Sequence, residues 1–476
     1  MACWRLACCF VAALLLAAAA AEAKEYAAIF NFGDSLVDAG NLVVDGIPDY
    51  LATGRLPYGM TYFGYPTGRC SDGRLVVDFI AQELGLPLLP PSKAKNATFH
   101  RGANFAITGA TSLDTPFFVA RGLGKTVWNS GSLHTQIKWF QDMKPKLCSS
   151  PQECRELFRR SLFIVGEFGG NDYNSPLFAF RPLSEAHDFI PHVVDSIAEG
   201  VEKLIAEGAV ELVVPGVLPI GCFPVYLSIF RKQPEMYGAQ SGCIRDLNTL
   251  SWVHNAALQR KIVDLRAKHP DVRIIYADYY TPAIQFVLHA EKYGQCSILA
   301  RPDEVMILMN NPGRFLLSEF LDRLVIRLNF VLGGRPANGP VRWSHGNLRP
   351  RCIYIFLSII AVTPKKMEEA DAGRQKRSSS MTQAVIRAIR VGNAIYYIRF
   401  LKQTPRACCG APGVGEYNFN LTSKCGEPGA YACDDPSNHW SWDGIHLTEA
   451  SYGHIAKGWL YGPFADPPIL DNKHLG

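Results

Sequence analysis

The sequence predicts an α/β protein, a three-layer α/β/α sandwich around a central, mostly parallel five-stranded sheet. Three observations lead there. Five short runs rich in β-branched, aromatic and aliphatic residues recur along the chain, at Ala27 to Phe32, Thr98 to Ile107, Ser161 to Phe168, Val210 to Val217 and Val272 to Tyr279. Most of the intervals between them are helix-like and long enough for crossovers, the pattern of a parallel sheet covered on both faces. The composition, 48% hydrophobic and 19% charged over 476 residues, is that of a chain able to bury a large core. It is neither a disordered chain nor an integral membrane protein.

Taken in order, the first element is a leader. Arg5, an apolar run from Leu6 to Ala21 and the small-residue pattern Ala21-Glu22-Ala23 read as a signal peptide over residues 1–23. The run is short of the ~20 apolar residues of a membrane span. Secretion to the extracellular space or cell wall follows, and no retention signal precedes Gly476. Two N-x-[ST] sites on the same route, Asn96 and Asn420, are candidate glycosylation sites. Of 14 cysteines, Cys3, Cys8 and Cys9 leave with the leader, so 11 meet an oxidising compartment. Cys148 with Cys154, and Cys222 with Cys243, are plausible neighbours by separation alone.

The helical pieces are also legible. From Phe189 to Ala206, apolar residues fall at Ile190, Val193, Val194, Ile197, Val201, Leu204 and Ile205, which is one buried helix face. Leu247 to Ala267 continues the alternation before the strand at Val272.

Residues 297–402 break it. They hold 17 Lys and Arg against 7 Asp and Glu, a net of +10 where the whole chain carries +5. The weak overall charge excludes a nucleic-acid footprint outside such a cluster. A structureless loop of this length is improbable within a compact domain. The segment is therefore read as an atypical basic insertion, poorly ordered and not selected for this fold, with a basic partner-binding module as the alternative. It also contains Cys352, without which ten cysteines remain, an even number.

The chemistry-bearing residues follow the strands. Gly33-Asp34-Ser35 ends the first run, so Ser35 sits at the carboxyl edge of the sheet, where open α/β folds bind ligands. Serine is equally a favoured helix N-cap. After the second run, Thr108-Gly109-Ala110 offers a glycine whose backbone N–H can approach a ligand closely. After the third, Gly169-Gly170-Asn171-Asp172 offers an amide donor or, more plainly, a glycine-rich turn. Near the C-terminus Asp443 and His446 are three residues apart, near enough for the carboxylate to orient the imidazole.

In this order the four blocks resemble the plant GDSL esterase/lipase family of the SGNH hydrolase superfamily. Gly59 to Asp78, Val214 to Cys222, Tyr279 to Gln285 and Thr404 to Tyr417 carry the same resemblance. It implies a flavodoxin-like SGNH hydrolase fold in one domain, residues 24–296 and 403–476, with 297–402 as the departure from the family pattern. It further implies Ser35 as nucleophile, His446 as general base and Asp443 as the group holding the imidazole. The oxyanion hole would be the N–H groups of Ser35 and Gly109 with the Asn171 amide. Asp34, Asp38, Asn41 and Asp172 are read as shaping loops. No metal or other cofactor is expected, since no His/Cys spacing suggests zinc and Gly166 to Gly169 is not a phosphate loop.

The expected activity is hydrolysis of carboxylic esters, of small molecules, lipids or acetylated glycans, by a monomer with no nucleic-acid partner and no membrane span. An acyltransferase using the same triad is the nearest rival. The other is a catalytically silent secreted glycoprotein that binds carbohydrate through aromatics such as Trp440 and Trp442.

Overall fold

The computed structural model describes residues 26–127, 131–230, 233–289, 385–391, 394–400, 405–413 and 416–470. The leader at 1–23, and the expectation of poor order for most of 297–402, lie outside them. The chain divides into two units, one of Met1–Gln295 with Thr404–Gly476 and one of Cys296–Gln403. In the second, Val385–Val391 (β6) pairs antiparallel with Ala394–Phe400 (β7).

The first unit is built on Ala28–Phe32 (β1), Gly102–Asn104 (β2), Ser161–Val165 (β3), Glu211–Pro215 (β4) and Arg273–Ala277 (β5). They pair in parallel in the order β2-β1-β3-β4-β5. One strand more than expected completes the sheet, because Ala465–Asp466 (β10) adds antiparallel to β5. Two residues are too few to leave a period in the sequence.

The helices are Asn41–Asp45 (α1), Val76–Glu83 (α2), Thr115–Val119 (α3), Leu133–Leu147 (α4), Pro151–Arg159 (α5), Gly170–Phe178 (α6) and Leu183–Glu207 (α7). Pro224–Ile229 (α8), Arg245–Lys268 (α9), Tyr280–Leu288 (α10) and Glu449–Tyr461 (α11) follow. The path from β1 to β2 runs one way along the sheet and the later crossovers run the other. Right-handed crossovers therefore put their helices on opposite faces. The packing agrees, since α7 lies against α4 and α9, whereas α11 lies against α2 and α10.

The predicted stripe on α7 is buried at Ile190, Val193, Val194, Ile197, Val201 and Leu204. The helix ends at Gly208, left-handed at φ 113°, whose N–H returns to the Ile205 carbonyl. Beneath α4 and α5, Phe30 of β1 meets Phe140, Phe158 and Phe163 with ring centroids 5.2–5.5 Å apart. Emptying such a site typically costs 3–5 kcal/mol, so β1 is held firmly where it delivers the following turn.

Among the described residues, four disulfides join Cys148 to Cys154, Cys222 to Cys243, Cys408 to Cys433 and Cys409 to Cys425. Cys70 is a free thiol, fully buried. Parity counts cysteines but is blind to burial, and buried Cys behaves as a small apolar side chain.

Candidate active site

The strand order reverses at β1, which leaves the carboxyl ends of β1 and β3 as the topological switch point. Gly33 makes the turn out of β1 at φ 154°, and a Cβ there would stand 2.9 Å from the Gly166 carbonyl oxygen beyond β3. The Gln136 amide clamps this glycine from α4: Oε1 accepts from Gly33 N at 2.9 Å, and Nε2 donates to Gly33 O at 2.8 Å. Asp34 then folds back on the turn, its Oδ1 accepting Leu36 N at 2.9 Å. Ser35 is thus fixed at the mouth of the switch point.

The C-terminal block brings its imidazole to this serine. His446 Nε2 is 2.8 Å from Ser35 Oγ, and His446 Nδ1 is 2.7 Å from Asp443 Oδ2. A carboxylate can only accept, so Nδ1 carries the ring proton and Nε2 is free to accept from the serine hydroxyl. The other carboxylate oxygen, Oδ1, takes the backbone N–H groups of Ile445 at 3.0 Å and His446 at 2.8 Å, closing the turn that orients both side chains. The turn itself is sewn to the disulfide-linked block, where Cys409–Gly410 (β8) pairs with Tyr431–Ala432 (β9). From there Cys408 N donates to Ser441 O at 2.9 Å and Cys409 N to Trp442 O at 2.6 Å.

Burial and charge compete in this cluster. Burial pushes the Asp443 carboxyl up, but His446 and the two N–H donors overcome it and hold the group at about 2. Burial would lower His446, yet the Asp443 charge outweighs it and raises the imidazole well above its usual range. The Cys70 thiol faces the same ring, and burial pushes its own pKa up. On the other side of Ser35 burial lifts Asp34 to about 7, and Glu167, also near Asp34, higher than an ordinary glutamate.

Two backbone donors are free at this edge. Among the described residues, neither Ser35 N nor Gly109 N is bonded to a protein acceptor, and Gly109 is left-handed at φ 84°. Asn171, at the start of α6, points its amide to the same place but has partners: Nδ2 lies 2.8 Å from Asp34 Oδ2 and 3.0 Å from Ala110 O. Asp38 and Asn41 brace the loops. Asp38 accepts from Gly40, Asn41 and Thr108, while Asn41 Nδ2 donates to Asn104 O and Ala106 O. Asp172 accepts from Ser112 and Leu113.

The model of the GDSL-like lipase/acylhydrolase family matches residues 29–306. A GDSL esterase/lipase of Arabidopsis thaliana is 37% identical over 449 residues, covering 93% of this chain and 92% of the relative. The chain belongs to the GDSL esterase/lipase family. A second Arabidopsis thaliana GDSL esterase/lipase is 32% identical over 451 residues, 94% of this chain and 85% of the relative. Sinapine esterase of Brassica napus is 31% identical over 458 residues, 95% of this chain and 90% of the relative. The protein is a GDSL hydrolase of carboxylic ester bonds.

Several residues of this GDSL hydrolase escape a sequence reading. Tyr58 donates its hydroxyl to Asp443 Oδ2 at 2.8 Å, across 385 positions, and Gln136 reaches Gly33 across 103. Neither carries a local signal, because a tyrosine or glutamine at helix or loop spacing reads as packing or surface. Trp440 and Trp442, read as possible carbohydrate-binding aromatics, are instead 4% and 0% exposed. Trp440 packs on Phe223 and Trp442 on Tyr58.

Asn96 is exposed in a turn, whereas Asn420 is half-buried with Nδ2 donating to Pro412 O at 2.9 Å. Among the described residues, the cluster with metal-ligand geometry is Cys408, Cys433 and His439. Its sulfurs are joined in a disulfide, so it offers no thiolate. No helix among the described residues is long and apolar enough to cross a membrane.

Proposed function

We propose that this GDSL hydrolase is a secreted serine esterase working through an acyl-enzyme on Ser35. His446 Nε2 takes the Ser35 proton as Oγ attacks the ester carbonyl. The carbonyl oxygen becomes an oxyanion facing Ser35 N, Gly109 N and the Asn171 amide, worth about 3 kcal/mol per donor. Collapse expels the alcohol, which takes the proton from His446. Water, deprotonated by the same nitrogen, then releases the acid and restores Ser35.

The observation that carries this is the unbroken hydrogen-bonded run Ser35 Oγ, His446 Nε2, His446 Nδ1, Asp443 Oδ2, at 2.8 and 2.7 Å, beside two unpaired backbone donors. The leader, the four disulfides and the exposed Asn96 support export to the extracellular space or cell wall, with Asn96 and Asn420 as glycan acceptors. Small-molecule, lipid or acetylated-glycan esters are the substrate class, handled by a monomer. Sinapine, the compound in the name of one relative, belongs in the first substrate panel.

The test is to express the chain with its leader in a secreting host and treat the exported protein with a fluorophosphonate and with p-nitrophenyl esters of graded chain length. A burst of p-nitrophenol and a covalent adduct mapped to the Ser35 peptide are expected, both absent in Ser35→Ala. Labelling elsewhere, or turnover of Ser35→Ala above a tenth of the parent, would overturn the mechanism.

A further inference from the structure

Asp443 Oδ2 has two side-chain donors. His446 Nδ1 is one, at 2.7 Å, and the Tyr58 hydroxyl, at 2.8 Å, is the other. Tyr58 belongs to the long loop between α1 and α2, and among the described residues its hydroxyl makes no other hydrogen bond. Its place is set by packing: the residue is 5% exposed, lies in a small cluster with Ala52, Cys408, Cys409, Cys425 and Trp442, and meets the Trp442 ring edge-on at 6.0 Å. Two disulfides run through that cluster. The tyrosine therefore reaches the triad from a rigid wall and not from a mobile loop tip.

We propose that Tyr58 is a positioning residue of the catalytic relay, acting on His446 through Asp443. This rests on the serine-esterase reading above. Two consequences follow from where the hydroxyl sits. A carboxylate whose Oδ1 is bound by two backbone N–H groups can still swing Oδ2 about that anchor. The phenol fixes this second oxygen, so the imidazole keeps one orientation toward Ser35. The same hydrogen bond draws negative charge off Oδ2, which limits how strongly Asp443 favours the imidazolium. Burial and the neighbouring Asp443 charge keep the phenol protonated, raising its pKa well above the ordinary tyrosine value. It remains a donor throughout the working range. The groups facing His446 are Asp443 and Ser35 on the relay, Cys70 beside it and Asp34 across the nucleophile. Of these, Tyr58 is bonded to Asp443 alone.

The test uses Tyr58→Phe in the full chain, with Ser35→Ala alongside. Removing the hydroxyl should lower kcat about tenfold with KM unchanged, the size expected of one hydrogen bond to a charged group. The acidic limb of the kcat/KM profile should move to higher pH, because an unrelieved Oδ2 holds the imidazolium longer. In an Asp443→Asn background the same substitution should shift nothing. Tyr58→Leu removes the hydroxyl with a different packing loss, so the two variants should differ in melting temperature yet share the displaced limb. A limb that stays in place or moves down, a loss confined to KM, or an undiminished effect in the Asp443→Asn background would overturn the proposal while leaving the mechanism intact. Turnover by Ser35→Ala would overturn the mechanism itself.

Discussion

Asn171 and Asp34 are hydrogen-bonded at 2.8 Å, from the amide Nδ2 to Oδ2 of the residue directly before Ser35. With Ala110 O taking the amide at 3.0 Å, both Nδ2 hydrogens are committed. An oxyanion must draw one of them away. Its developing charge can compete for that proton where a neutral ester carbonyl competes poorly, which is how a donor comes to favour the transition state over the substrate. Asn171→Ala should therefore cost on the order of a hundredfold in kcat with little change in KM. Steady-state kinetics on an activated ester checks this, and an equal loss through KM alone would assign Asn171 to substrate binding.

The pH profile carries a second prediction. His446 must be neutral to accept the serine proton, and the Asp443 charge raises its pKa well above the usual value. The imidazolium thus survives to higher pH, and activity is lost as pH falls through the raised value. The acidic limb of kcat/KM should lie above the ~6.5 of an unperturbed histidine. Asp443→Asn removes the anion and should bring the limb down while lowering kcat. A profile flat between pH 5 and 8 would contradict a histidine base.

A third prediction concerns stability. Arg69 and Asp78 form a buried bidentate pair, Nε to Oδ2 at 2.8 Å and Nη2 to Oδ1 at 2.7 Å, while Nη1 reaches Ala39 O at 3.2 Å. The guanidinium thereby ties α2 to the loop that follows Ser35. Asp78→Ala leaves it buried and uncompensated, at a cost of about 3–5 kcal/mol. Urea unfolding should register that loss, and replacing both residues by apolar ones of similar volume should recover most of it.

The fourth concerns residues 297–402. They contain none of the residues of the relay or of the oxyanion edge, and lengthening a loop costs only ~0.6 kcal/mol per doubling. Their hazards are chemical: the apolar run Ile353 to Val362 is an aggregation-prone window, and Cys352 can mispair in an oxidising lumen. Deleting them should raise secreted yield and preserve or improve ester hydrolysis. A deletion that unfolds the protein would make the segment an integral domain.

The sheet was legible because five apolar runs each carry enough residues to declare a strand, and β10 was not because it has two. Ser35, Asp443 and His446 were singled out only as a set, through the order of blocks that carries the family resemblance, because each alone reads as a helix cap or a surface turn. Tyr58 and Gln136 were not, because their contacts exist only once distant segments meet, and nothing in their neighbourhoods marks them. Trp440 and Trp442, the aromatics of the carbohydrate-binding rival, are both buried, against Phe223 and Tyr58, in contacts that no local pattern marks.

Ser35 and His446 are 411 positions apart in the chain yet touch in the fold. During synthesis Ser35 emerges hundreds of residues before His446. A ribosome-bound chain can complete all five parallel strands before His446 exists. The contact between Ser35 and His446 forms only once the C-terminal block, tied by Cys408–Cys433 and Cys409–Cys425, has been made and folded. A chain that stalls before that point has Ser35 without the imidazole that lies against it.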